Sequence, residues 1–253
     1  MEELDVNRRF LKADRWDEWA EQPTDQREGV AAPPVQKPCP QDASLVDLMP
    51  GNNPVIGATT LVAAIASRKS HRRFTEGFLT LEELSFLLWA TQGVRSVSSD
   101  GSSTTRTVPS GGARHPLETY LVVGRVRNLL PGLYRYLPVE HKLCLLLKGD
   151  DLVEKAKNAA WKNDFVGEAA VVFVWTAIPY RAEWRYSVVA HKMIAIDSGH
   201  VCQNLYLACG AIGAGTCAVG AYSQDKMDAV LGVDGEEEFT IYVAPVGKVN
   251  LTP

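Results

Sequence analysis

Ala169-Ala170-Val171-Val172-Phe173-Val174-Trp175 is an unbroken apolar run. A strand with one face in water alternates apolar and polar positions, so this run predicts a central strand covered on both faces. Its neighbours in sequence decide the kind of sheet. Glu118-Thr119-Tyr120-Leu121-Val122-Val123 predicts another strand, and residues 132–137 with 142–147 predict a hairpin around Pro138-Val139-Glu140-His141. Residues 239–248 predict a last strand returning to the sheet. Among the helices, Thr80-Leu81-Glu82-Glu83 is a capping-box pattern opening an apolar-periodic run that should stop at Gly93. Asp150 should cap a helix reaching about Trp161, and the long Pro-free stretch from Tyr186 to Ala211 reads as one buried helix carrying Asp197, His200, Gln203 and Asn204. Hairpins mixed with long helices, without strict alternation, predict an α+β sandwich over a doubly wound fold. No Gly-x-Gly-x-x-Gly follows a first strand, which argues against a Rossmann nicotinamide domain.

The chain has 253 residues, 46% hydrophobic and 22% charged, enough for a sizeable core. The expected division is a helix and Pro-rich extended arm over 1–54, then a folded body over 55–253. Residues 4 to 20 allow an amphipathic helix, and seven prolines between Pro23 and Pro54 forbid long regular elements after it. The arm's apolar residues suggest that it lies along a surface, that of a partner subunit being one candidate. The Ser-rich segment from Ser96 to Ser103 reads as a mobile loop. Cys39, Cys144, Cys202, Cys209 and Cys217 are odd in number and lack a Cys-x-x-Cys pair, so buried reduced thiols are expected. The acidic start and the lack of a membrane-length apolar run point to a cytoplasmic protein without membrane partners. A net charge of -4 with one dense basic run argues against a nucleic-acid partner.

That basic run is Ser67-Arg68-Lys69-Ser70-His71-Arg72-Arg73-Phe74, placed where an apolar helical stretch ends. Arg68 can fork onto a phosphate, Lys69 and Arg72 add charge, and the Ser70 hydroxyl can donate to a phosphate oxygen. A solvated basic turn is the alternative. Two later stretches are poor in side chains: Pro109-Ser110-Gly111-Gly112, and Gly213 to Tyr222 after the long helix. Their backbones can approach a flat ligand, or they can be simple turns.

Taken together and in this order, these segments resemble the FMN-dependent nitroreductase superfamily, and within it the SagB-type dehydrogenase branch in its stand-alone form. The resemblance rests on Arg68-x-Ser70-x-Arg72, Arg106-x-x-Pro109-Ser110-Gly111-Gly112, Asp197 to Leu205, Val219-Gly220-Ala221-Tyr222 and Val246-Gly247-Lys248. It implies a three-layer sandwich with a mixed, mainly antiparallel sheet flanked by helices, in an intertwined homodimer with FMN at the interface. It implies that Arg68, Lys69, Ser70 and Arg72 hold the phosphate and ribityl end, with Lys248 beside Gly247 completing the charge balance. Pro109, Ser110, Gly111 and Gly112 would reach the isoalloxazine from the partner subunit. Ala218, Val219 and Gly220 would lie near its pyrimidine edge and N5, offering backbone N–H groups.

The function so implied is transfer of electrons from NADH or NADPH through FMN to a small organic acceptor. A SagB-like oxidation of peptide thiazoline or oxazoline rings is one alternative, and a flavin-binding protein without turnover is another. Azoline-oxidising members resemble this chain at Trp184-Arg185-Tyr186 but typically carry Lys in the middle, and Arg185 cannot serve as a proton-transfer group there. His200 reads as a core or interface residue with Asp197 three positions earlier as its candidate partner. His191, Asp197 and His200 have a metal-compatible spacing but too few ligands. His71, His115 and His141 read as surface or loop residues.

Overall fold

The computed structural model describes residues 2–52 and 55–250, with side chains from residue 4 onward. The apolar run becomes β7 (Val171–Ala177), buried along its whole length. β4 (Leu117–Val123) and β9 (Phe239–Lys248) pair with it on either side. β5 (Gly132–Leu137) and β6 (Lys142–Lys148) form the expected hairpin beyond β4. β1 (Leu45–Asp47) closes one edge on β6, and β8 (Ala214–Thr216) closes the other on β9. The order is β1-β6-β5-β4-β7-β9-β8, with every neighbouring pair antiparallel.

Both faces of β7 are apolar because both are covered. Phe173 and Trp175 join Leu121, Ala244 and Val246 in a core closed by α4 (Leu81–Gln92) and α8 (Ala190–Ala211). Val172 and Val174 face the other way, with Tyr120, Val122 and Val243, toward α5 (Leu152–Ala159) and α9 (Gln224–Leu231). Each fully buried large side chain of this kind stabilises by roughly 1.5–3 kcal/mol. The Thr80 capping box forms as the sequence predicts, and α4 ends at Gly93.

The second face is polar toward one end. Glu118 lies opposite Thr176, and Tyr120 opposite Arg135, so these residues share that face. The Pro-rich arm of the same chain covers them. The Lys37 N–H donates to Glu118, the Lys37 ammonium pairs with Glu238, and Arg135 donates to the carbonyls of Lys37 and Pro38. The buried Arg106 donates to the Val35 carbonyl, and the Trp184 indole donates to that of Val30. A buried guanidinium costs free energy unless its donors are met, so backbone carbonyls are the arm's main contribution.

Several sequence expectations change. The first helix is two, α1 (Glu2–Phe10) and α2 (Trp16–Glu21). The long helix starts at Ala190: α7 (Tyr180–Tyr186) precedes it, and Ser187 with φ 44 opens a 3-10 turn through Val189. A non-glycine residue rarely adopts that φ, and the β-branched Val188 and Val189 favour helix weakly. Residues 96–103 are not a loose loop, since β2 (Val94–Val97) and β3 (Thr104–Arg106) form a hairpin. Asp100 ties its tip by accepting from Ser98 and Ser102, which pulls its carboxyl down to about 2. The cap position of α5 is Asp151, not Asp150, and the helix ends at Ala159. α6 (Asp164–Gly167) follows it as a single turn. Cys39 and Cys144 form a disulfide between arm and β6, correcting the expectation of reduced thiols there, whereas Cys202, Cys209 and Cys217 are free and buried.

Among the described residues no helix is long and apolar enough to cross a membrane.

Candidate functional site

α3 (Leu61–Ser67) starts on Thr60, whose hydroxyl accepts the Ala63 N–H, and stops where Arg68 turns extended. The chain then runs against the sheet edge. The His71 N–H donates to the Thr216 carbonyl at 2.9 Å, and the Thr75 N–H to that of Lys248 at 2.8 Å. The approach is close enough to need glycine, because a Cβ on Gly215 would lie 2.6 Å from the His71 ring and one on Gly247 2.8 Å from Phe74. With the backbone docked, the side chains of Arg68, Lys69, Ser70, Arg72 and Arg73 stand exposed. Among the described residues no carboxylate comes within ion-pairing distance of these four cations. Burial, and then the charge of Lys69, depress the pKa of His71.

Tyr206 of α8 connects this cluster to the Gly-rich segment. Its hydroxyl lies 3.1 Å from Ser70 Oγ and accepts the Ala218 N–H at 2.8 Å, while the Arg68 guanidinium sits 5.5 Å from its ring centre. The Val219 N–H donates to the Val243 carbonyl, and its side chain is buried. Gly220 differs from both. It is exposed, a Cβ there would meet nothing within 4 Å, and its N–H donates to none of the described residues. The Lys248 ammonium donates to the Glu83 carboxylate and to the Ile212 carbonyl at the end of α8.

Pro109, Ser110, Gly111 and Gly112 lie at the other half of α8. Asp197 accepts the Ser110 hydroxyl at 2.5 Å and the Gly111 N–H at 3.3 Å, and the His115 N–H donates to Ser110 Oγ. Burial raises the Asp197 pKa, opposed by these two donors. A Cβ on Gly111 would lie 2.1 Å from the Met193 methyl, and one on Gly112 2.4 Å from the Tyr186 hydroxyl and 3.0 Å from Arg185 Cδ. Arg185 lies beside Tyr186, its guanidinium 5.5 Å from that ring. Both glycines thus sit in close packing inside the subunit, Gly112 with a positive φ of 55 and Gly111 against the movable end of Met193, a reason the sequence did not disclose. Asp197 and Tyr206 are nine positions apart, about 13 Å along a helix axis. One chain therefore does not gather the two segments around a single point.

The remaining histidines differ from expectation. His115 is buried, and burial followed by the Arg106 charge pushes it down to about 3. His141 bridges Tyr136 and the Met49 carbonyl. Asp197 gives its oxygens to Ser110 and Gly111 instead of forming the expected pair with His200, and His191 contacts Glu183. Sequence reasoning missed Tyr206 and the turn-holding role of Asp197. A carboxylate in an apolar helix was the available signal, since it costs free energy without donors.

The donor set of the first cluster suits an FMN phosphate: four exposed cations without ion pairs among the described residues and the Ser70 hydroxyl lie within one short segment, which Tyr206 links to Ala218 of the Gly-rich stretch. The model of the Nitroreductase family matches residues 65–248. A protein of Methanocaldococcus jannaschii classed by name as a nitroreductase is 31% identical over 202 residues, spanning 80% of this chain and 98% of that one. The microcin B17-processing protein McbC of Escherichia coli is 24% identical over 157 residues, 60% of this chain and 58% of that one. Among solved structures, one classed as a nitroreductase from Ralstonia eutropha superposes with a TM-score of 0.66 at 27% identity, covering 87% of this chain and 99% of that one. An NADPH:FMN oxidoreductase from Vibrio harveyi, solved with NAD+, shares the fold at a TM-score of 0.54 and 18% identity, covering 76% and 70%.

Proposed function

The chain belongs to the nitroreductase family, and from that premise we propose that it is an FMN-dependent oxidoreductase that takes electrons from NADH or NADPH and delivers them to a small organic acceptor. The observation that carries the reading is the group of Arg68, Lys69, Arg72 and Arg73, left without ion-pair partners among the described residues on a chain of net charge -4. Such a group repels itself until an anion arrives. Arg68, Lys69 and Arg72 would hold the phosphate, with Ser70 donating and Tyr206 fixing Ser70. Gly220 would offer its N–H to the ring, and Lys248 would brace the site through Glu83 rather than touch phosphate directly. The bound flavin would supply the hydride chemistry.

The active form in this reading is a homodimer. Leu61, Val62 and Ile65 of α3 are exposed apolar residues, and Gly199 and Gly210 of α8 face open space. Glycine inside a helix costs about 1 kcal/mol relative to alanine, which a closely packed partner helix would offset. The partner's Pro109–Gly112 turn would then complete the ligand's other side, which a single chain does not reach.

The likeness to McbC supports a second reading, a dehydrogenase acting on heterocycles in a peptide. Arg185 weighs against it, because a guanidinium stays protonated. The test is the visible spectrum of purified protein, mass identification of the released chromophore, and anaerobic titration with NADH and NADPH. Released FMN with rapid bleaching by either nucleotide is the expected result. A colourless protein that refuses added FMN would overturn the proposal, and a yellow one that neither nucleotide bleaches would shift it to the second reading.

A further inference from the structure

A second group of cations surrounds a cavity of about 320 Å³ between α1, α2 and the first turns of α8. That is the volume of a small-molecule site. Its walls divide by chemistry. Phe10, Trp16 and Ile196 contribute apolar surface, and all three are more than a third exposed although they line a recess. Arg9, Lys12, Arg15 and Lys192 contribute positive charge, and no carboxylate lines the cavity.

Not all of that charge is free. Arg9 pairs with Asp14, Arg15 grips Glu18 through two bonds, and the lining His191 contacts Glu183. Lys192 donates to the carbonyls of Leu11 and Lys12, so it fastens the end of α1 onto α8 and shapes the cavity. Lys12 has no ion pair among the described residues. It is the cation left to meet a ligand.

The cavity also adjoins the Pro109–Gly112 turn. Met193 lines it and packs its methyl against Gly111, while Trp16 lies 6.0 Å edge-on to Tyr186, which packs against Gly112. Met193 therefore belongs both to the cavity wall and to the packing of the turn. We propose that this cavity is a specificity subsite that takes a flat organic anion, its ring against Trp16 and Phe10 and its charged group toward Lys12. The inference rests on the oxidoreductase reading for its role, and α1 and α2 thereby become part of the binding machinery. The shared chemistry, an anionic group held near an aromatic ring system, is met by an acceptor's ring carboxylate and also by the ribose phosphate next to the adenine of a phosphorylated nicotinamide donor.

Calorimetric titration of the full chain separates these sources. The probes are 4-nitrobenzoate, its neutral isostere 4-nitrobenzamide, NADPH and NADH, each against wild type, Lys12→Gln and Lys12→Glu. The expected result is tighter binding of nitrobenzoate than of the amide, a loss of about tenfold for nitrobenzoate in Lys12→Glu with a smaller loss in Lys12→Gln, and no change for the amide. Trp16→Ala should weaken both ring probes. If NADPH loses affinity in Lys12→Glu while NADH and nitrobenzoate do not, the anion recognised is the donor's ribose phosphate, and the subsite stands. Equal binding of acid and amide, with no effect of Lys12→Glu on any probe, overturns it. The readout does not need flavin: a colourless protein with Lys12-dependent binding would sink the function and leave the subsite. A yellow, reducible protein blind to Lys12 would do the reverse.

Discussion

Asp197 receives both the Ser110 hydroxyl and the Gly111 N–H, so one buried carboxylate of α8 holds the turn after Pro109 by two adjacent donors. Removing the carboxylate leaves both donors without an acceptor. Hydrogen bonds to a charged group contribute about 1.5–3 kcal/mol, so Asp197→Ala should lower unfolding stability by about that much and Asp197→Asn by less. Denaturant titration monitored by circular dichroism measures the order, and equal stability of wild type and Asp197→Ala would refute the role.

Gly111 and Gly112 should not tolerate alanine equally. The added methyl at 111 meets the end of the Met193 side chain, which can swing away. At 112 it meets the Tyr186 hydroxyl and Arg185, and the backbone there has φ 55. The left-handed conformation alone costs a non-glycine residue about 1–2 kcal/mol. Gly112→Ala should therefore have the lower melting temperature of the two, and the opposite order would show that Met193 is the rigid neighbour.

Flavin affinity should separate the two ways the phosphate cluster is built. Arg68→Glu replaces a donor with a like charge and should weaken FMN binding about a hundredfold with the fold intact. Tyr206→Phe leaves the charges in place but removes the acceptor of the Ala218 N–H and the partner of Ser70. A loss of about 1 kcal/mol, or roughly fivefold, is expected from that single bond. Quenching of flavin fluorescence on titration reads both, and full affinity in Arg68→Glu would dismiss the cluster as the phosphate site.

The Cys39–Cys144 disulfide closes 105 residues of sequence. Disulfides commonly contribute about 2–4 kcal/mol. Cys39→Ser should lower stability by that order against the oxidised wild type, and the gap should shrink when both proteins are unfolded in reductant. A gap independent of reductant would mean that the serine itself perturbs the arm.

Much of the layered fold was legible because its signals are local. The unbroken run at β7, the hairpin around Pro138 and the Thr80 capping box all formed where their residues predict. What stayed hidden depends on distant partners. The break at Ser187 leaves no mark in hydrophobicity, and the order at residues 96–103 comes from one Asp100 carboxylate collecting serine donors. The pairing of Cys39 with Cys144 could not be read from an odd count of cysteines. At the site, the spacing of basic residues and glycines was visible, but not the partners that orient them. The engagement of Lys248 by Glu83 and the Tyr206 link appear only once β9, α4 and α8 have met.

The arm's hold on Arg106 and Arg135 has a practical consequence. Those guanidinium groups are met by the carbonyls of Val35, Lys37 and Pro38, that is, by dipoles and not by counter-charges that salt could screen. Concentrated salt should therefore weaken only the Lys37–Glu238 pair and leave the carbonyl contacts and the Cys39–Cys144 disulfide holding the arm, whereas a shortened gene product beginning at Val55 would take from Arg135 both of its carbonyl acceptors and from Arg106 one of its three acceptors. Such a truncation would be expected to come out of the cell as insoluble material, and a search for a minimal version of this protein should trim elsewhere.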